Sequence, residues 1–188
     1  MLPPLKTRGW TRVEYERLAE TGVLDEDARV ELLDGRLIVS EPQGSRHATA
    51  VVMAHQALER AFGRGFHVRD QLPVALDDRS EPEPDLCVVR GRAKDYRDAH
   101  PTSPVLVLEV ADDSLARDRL RKGPAYARAG IRDYWIVNLV RGVVEVCREP
   151  VRAPLSGWRY RQVRLLKRNA SIRPLAAPRR VRVADLLP

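Results

Sequence analysis

Asp85 and Glu109 each border a run too apolar to welcome a charge. Asp85 stands at the mouth of Leu86-Cys87-Val88-Val89, and Glu109 sits between Val105-Leu106-Val107-Leu108 and Val110. An acid in a buried strand is costly unless its charge is compensated, and a bound cation is one common compensator. Mg2+ and Mn2+ prefer carboxylate oxygens, so two acids at adjacent strand ends could hold one such ion against a phosphate. The ion would polarise a phosphoryl oxygen and acidify a bound water. Lys122, four positions after Asp118 on a helical stretch, could add positive charge for a developing oxyanion or orient the attacking water. These are the parts of metal-assisted phosphodiester hydrolysis.

Structural uses compete at each position. Asp85 could cap a loop, and Lys122 could pair with Asp118 at i, i+4 on a wet helix face. Glu31 could pair with Arg29 or Arg36, and Tyr126 could pack in the core or orient Lys122. Asp112, Asp113 and Asp118 fit either an extended acidic site or a solvated loop and helix.

The elements that would carry these residues follow from local signals. Thr11-Arg12-Val13-Glu14 is a capping box opening a helix to about Glu20. Val30–Leu33 and Arg36–Val39 flank Asp34-Gly35, a two-residue hairpin signal. From His47 to Phe62, apolar residues recur at helical spacing, with His47 in the first turn of the core-facing stripe. Strand-like runs follow at 66–68 and 72–76. Glu81-Pro82-Glu83-Pro84 is a stiff extended approach to the Asp85 strand. The run from Val105 to Val110 does not alternate, as expected of a strand covered on both faces. Residues 114–129 form a helix pattern with Ser114 as a cap, Pro124 as a local disturbance and Gly130 as the stop. Strands are expected at 134–137, 143–147, 158–166 and 181–183. This order predicts one mixed α/β domain over residues 1–188, with helices flanking a central sheet.

Composition narrows the functional classes. No run approaches the roughly 18 apolar residues of a membrane span, and Met1–Lys6 lacks the apolar stretch of a signal peptide. A soluble, cytoplasmic protein with no membrane partner is expected. Cys87 and Cys147 both lie in apolar strand-like runs and read as buried free thiols. The net charge of +7 is concentrated in the C-terminal part. Residues 1–146 hold 22 Lys and Arg against 24 Asp and Glu, whereas residues 147–188 hold 11 against 2. Such a surplus could attract a polyanion, nucleic acid above all, or simply be a solvated arginine-rich surface. There is no Gly-x-Ser-x-Gly elbow and no Gly-rich phosphate loop.

The string Glu109-Val110-Ala111-Asp112-Asp113-Ser114, then Asp118, Lys122 and Tyr126, then Gly130-Ile131-Arg132-Asp133-Tyr134-Trp135-Ile136-Val137, resembles the Uma-two family of restriction-endonuclease-like proteins. Val30–Gly35, His47 before a helix, and Glu83-Pro84-Asp85 extend the resemblance over about residues 10–147, leaving 148–188 as a basic C-terminal extension. That family is placed in the PD-(D/E)xK nuclease superfamily. The resemblance implies a restriction-endonuclease-like mixed central sheet flanked by helices, and a metal-dependent endonuclease acting on DNA. It implies catalytic roles for Glu31, Asp85, Glu109 and Lys122, and places His47, Asp85 and Glu109 around Mg2+ or Mn2+. The superfamily's lysine would fall at Ala111, so Lys122 must reach back from the following helix. Cutting both strands of a duplex often uses two sites, which suggests a homodimer. The alternative is a nuclease fold with weak or no turnover that binds nucleic acid or a protein partner.

Overall fold

The structure, a computed structural model, describes residues 8–24, 29–40, 42–154 and 157–188. The Met1–Lys6 stretch considered above lies outside these residues. Helix α1 (Arg12–Glu20) begins with the expected box: Thr11 Oγ1 accepts from Glu14 N–H, and the Glu14 carboxylate accepts from Thr11 N–H. The Tyr15 hydroxyl donates to Val30 O at 2.7 Å, tying α1 to the next element. Strands β1 (Arg29–Leu33) and β2 (Arg36–Ser40) pair antiparallel through Asp34 and Gly35. Both turn residues have positive φ, as a type I′ turn demands.

A six-stranded mixed sheet forms the centre, in the order β3-β4-β5-β6-β7-β8. Its strands are β3 (Phe66–Asp70), β4 (Leu86–Arg90), β5 (Leu106–Ala111), β6 (Asp133–Asn138), β7 (Val143–Ala153) and β8 (Gly157–Lys167). Only β5 and β6 run parallel, and a helical crossover joins them. Helix α2 (Ser45–Phe62) packs one face through Ala50, Ala54, Ala57, Leu58 and Ala61. The opposite face of the sheet meets Tyr126, Ala127 and Ile131. With residues buried on both faces, β5 explains its own continuous apolar run.

Three expectations are corrected. Residues 72–76 form no strand. Val74 and Ala75 donate to Pro82 O and Pro101 O in neighbouring loops, and the prolines at 73, 82 and 84 remove the donors a ladder would need. The helix over 114–129 is broken into α3 (Leu115–Arg117), a π-helical turn (Asp118–Lys122) and α4 (Gly123–Arg128). Pro124 lacks an N–H and crowds the preceding carbonyls, and Gly123 N–H reaches back five residues to Asp118 O. Ser114 makes no side-chain cap; its hydroxyl donates to Asp118 Oδ2 at 2.6 Å.

β7 runs on past Cys147, and β8 completes the sheet. Short strands β9 (Ser171–Ile172) and β10 (Val181–Arg182) pair, and Ile172, Val181, Val183, Leu186 and Leu187 bury against the α2 side of the core. Cys87 and Cys147 are buried free thiols. Among the described residues, no helix is long and apolar enough to cross a membrane.

Candidate active site

Antiparallel pairing of β4 with β5 puts Leu86 opposite Leu108, which brings Asp85 beside Glu109. Asp85 N–H donates to Glu109 Oε2 at 3.3 Å, and Val110 N–H donates to Asp85 Oδ2 at 2.8 Å. His47, in the first turn of α2, brings Nε2 to 3.1 Å from the same Oδ2. Asp85 Oδ1 accepts from Gln43 Nε2 at 3.2 Å, and Gln43 Oε1 in turn accepts from Gln71 Nε2 at 2.8 Å. Gln71 has a left-handed backbone (φ 49°) at the exit of β3.

From the other face of the sheet, the π turn delivers Lys122. Its Nζ lies 3.1 Å from Glu109 Oε1 and 3.1 Å from Glu31 Oε2. The Tyr126 hydroxyl, one turn on, donates to Glu109 Oε1 at 2.7 Å. Glu31 projects from β1 and also accepts from Glu83 N–H at 3.0 Å. Lys122 is only 5% exposed, so it is not the wet-face partner of Asp118 that its spacing allowed. Asp118 is itself 2% exposed and points inward. Ala111, where the superfamily's lysine would stand, is a buried residue at the end of β5.

These side chains meet at a cavity of about 460 Å³ lined by His47, Glu83, Asp85, Glu109, Asp118 and Lys122. Arg29, Gln43, Asp112, Asp113 and Arg117 also line it; Glu31 stands behind Lys122. The acids outnumber the lysine. Burial, opposed by Lys122 and aided by Asp118, Asp85 and Glu31, pushes Glu109 up to about 8. Burial likewise raises Asp118 to about 6 against the pull of Lys122, and raises Glu83. Burial lowers the affinity of Lys122 for its proton, but the surrounding carboxylates outweigh that and hold it charged. Burial also pushes Asp85 upward, yet the His47 hydrogen bond and charge, the Val110 N–H and Lys122 leave it below its ordinary value.

The donor set fits a hard divalent cation. It offers carboxylate oxygens on an open cavity, and a second positive charge would favour the ionised forms that burial, aided by the neighbouring acids, disfavours at Glu109, Asp118 and Glu83. Among the described residues, no three His, Cys, Asp or Glu side chains are arranged as a ready metal cage. Asp85 and Glu109 instead spend their oxygens on protein donors. Glu31 Oε1 and His47 Nδ1 are buried without a hydrogen-bond partner.

All five residues singled out in the sequence, Glu31, His47, Asp85, Glu109 and Lys122, join one connected network. Gln43 and Glu83 also belong to this setting. Glu83 stood within the Glu83-Pro84-Asp85 motif; nothing in the sequence marked Gln43, a polar residue in a loop.

The profile of the Uma2 (Uma-two) family, described as "Putative restriction endonuclease", matches residues 12–184. No curated protein matches the chain. Among solved structures, the chain is similar to one described as a "putative nuclease belonging to DUF820" from Anabaena variabilis. The two share 14% identity and a TM-score of 0.65, over 84% of this chain and 88% of that one. At that identity the likeness speaks to fold.

Proposed function

The chain belongs to the Uma2 family, and we propose from the site it carries that it is a divalent-metal-dependent nuclease hydrolysing phosphodiester bonds in DNA. The observation that carries this is the buried Lys122 ammonium, held between Glu31 and Glu109 beside Asp85 at an open cavity. Asp85 and Glu109 would hold Mg2+ or Mn2+. His47 is the third candidate ligand and would exchange its contact with Asp85 to serve. When bound, such an ion polarises a phosphoryl oxygen and acidifies water.

The chain's own residues supply the rest. Lys122 would face the charge developing on the phosphate, in a site where little water competes. Glu31 fixes the ammonium at a second point, and Tyr126 fixes the Glu109 carboxylate. Arg29 and Arg117, on the cavity wall, would meet the flanking phosphates. The test is calorimetric titration with Mn2+ together with cleavage assays on DNA of varied sequence and strandedness. Glu109→Ala should abolish both the binding heat and cleavage. Lys122→Ala should lower cleavage by about 100-fold or more. Cleavage undiminished in both variants would remove this mechanism. A homodimer would present two such sites to two strands, and light scattering with and without duplex checks it.

A second reading is a nuclease-fold module that binds nucleic acid or a protein with little turnover. It is favoured by Asp85 and Glu109 having their oxygens taken by protein donors. It predicts salt-sensitive DNA binding that is indifferent to divalent metal.

A further inference from the structure

The acidic cavity holds a surplus of carboxylates, so a polyanionic substrate needs its attraction from elsewhere. After β8 the chain folds back through β9 and β10, and between this return and β7–β8 lies a cleft of about 320 Å³. Arg148, Arg164, Arg173 and Arg180 line it together with Ser171, over an apolar floor that includes Ile172; no carboxylate lines it.

One guanidinium is preset. Arg148 donates from Nε to Asp133 Oδ1 at 2.8 Å and from Nη2 to Asp133 Oδ2 at 3.3 Å and Arg173 O at 2.7 Å. Asp133 is fully buried and further held by Trp135 Nε1 and Leu175 N–H, so Arg148 cannot swing away. These bonds leave its Nη1 without a protein partner among the described residues, and Arg148 lines the cleft. Asp133 neutralises Arg148. Among the described residues, Arg180 bonds only to Ser171 O and Oγ, at 3.5 and 3.3 Å. Arg164 and Arg173 carry no ion pair among the described residues. The cleft therefore keeps about three uncompensated charges in planar, forked donors, the geometry that matches phosphate oxygens.

We propose that this cleft is a second, separate binding site that takes phosphate groups of a nucleic-acid backbone. Its affinity for phosphate follows from the cleft alone; the choice of nucleic acid rests on the nuclease reading above. The cleft belongs to the segment 147–188, in which 11 Lys and Arg face 2 Asp and Glu. Backbone contacts of this kind set affinity and register without reading sequence.

The experiment is fluorescence anisotropy of a labelled DNA duplex over a KCl series, in chelator so that the acidic site takes no part. The full chain is compared with Arg164→Gln/Arg173→Gln. An equal-charge control, Arg152→Gln/Arg159→Gln, lies on β7 and β8 outside the cleft, and neither residue has an ion pair among the described residues. The cleft pair should weaken binding at low salt and lower the slope of log K against log salt by about 1–2, given about 0.9 per phosphate neutralised. The control pair should change the slope less, and melting temperatures should match. An unchanged slope, or equal effects of both pairs, overturns the proposal. Saturable calorimetric binding of inorganic phosphate, tighter than duplex and lost in the cleft variant, would assign the cleft to free phosphate and overturn the backbone assignment. A slope change in a protein that cleaves nothing leaves this site standing while the nuclease reading fails.

Discussion

Lys122 is the one cation in contact with both Glu31 and Glu109 among the described residues, and this defines what its loss would do. Lys122→Met keeps the length of the side chain but leaves Glu31 and Glu109 facing each other without a cation. Breaking a buried pair by removing one partner costs about 3–5 kcal/mol, and urea denaturation at pH 7 should show a loss of that order. Tyr126→Phe is the milder probe. It keeps the packing against Tyr134 but deletes the hydroxyl that donates to Glu109, and should cost about 1–3 kcal/mol in the same measurement. Asp85 and Glu109 were legible in the sequence for a physical reason: a charge beside an apolar run demands a partner. Lys122 was marked by its place four residues after Asp118 on a helix pattern and by the family resemblance. Gln43 was not, because a glutamine between Pro42 and Gly44 looks like any loop residue. Only the folded chain brings it against Asp85 and Gln71.

The π turn is the element that turns a helix pattern into a site. It puts both Asp118 and Lys122 inward while Arg119 and Leu120 face outward. Arg119 anchors it from outside: Nε and Nη2 form a fork on Glu145, at 2.9 and 2.5 Å, and Glu145 also accepts from Asn138. Arg119→Ala removes that anchor and leaves a buried acid with one amide partner. Arg119 is partly exposed, so the cost should be about 1–3 kcal/mol, below that of a fully buried pair. Hydrogen exchange should accelerate first in residues 115–123, ahead of β6 and β7; uniform acceleration would mean the fork steadies the sheet rather than the turn. Sequence periodicity could place a helix here and a disturbance near Pro124, but not the register of the turn. That register follows from contacts with β7, which is distant in sequence. The strand expected at 72–76 fails to form for the same reason, since its β-prone residues find loop carbonyls instead of a ladder. The hairpin of β1 and β2, the helix of α2 and the doubly covered β5 depend on local pattern, and were legible.

Across the whole molecule, buried acids make the fold sensitive to pH. Glu81 sews the β1–β2 hairpin to the approach of β4 by exchanging backbone hydrogen bonds with Leu32. Burial and the neighbouring Glu16 push its carboxyl up to about 7, with Arg12 opposing, and its Oε2 is buried without a hydrogen-bond partner. An acid whose folded pKa is raised holds its proton in the native state longer than in the unfolded chain. Its favourable contribution is full below pH 4.5 and is lost as pH rises through about 7. Stability should fall over that window by about 1–2 kcal/mol, allowing for screening by nearby solvent, and Glu81→Gln should flatten the fall in urea titrations at pH 5 and pH 8. The hairpin that Glu81 secures is also clamped by Arg128, which reaches Asp34 across 94 positions of chain at 2.7 Å. This clamp has a consequence in time. At about 5–20 residues per second, a ribosome takes on the order of 5–20 s to make the stretch between the two. Throughout that interval the hairpin has been made, but the helix that closes over Glu31 has not. Glu31 and Glu109 are therefore both made before Lys122, so these acids precede the cation that joins them.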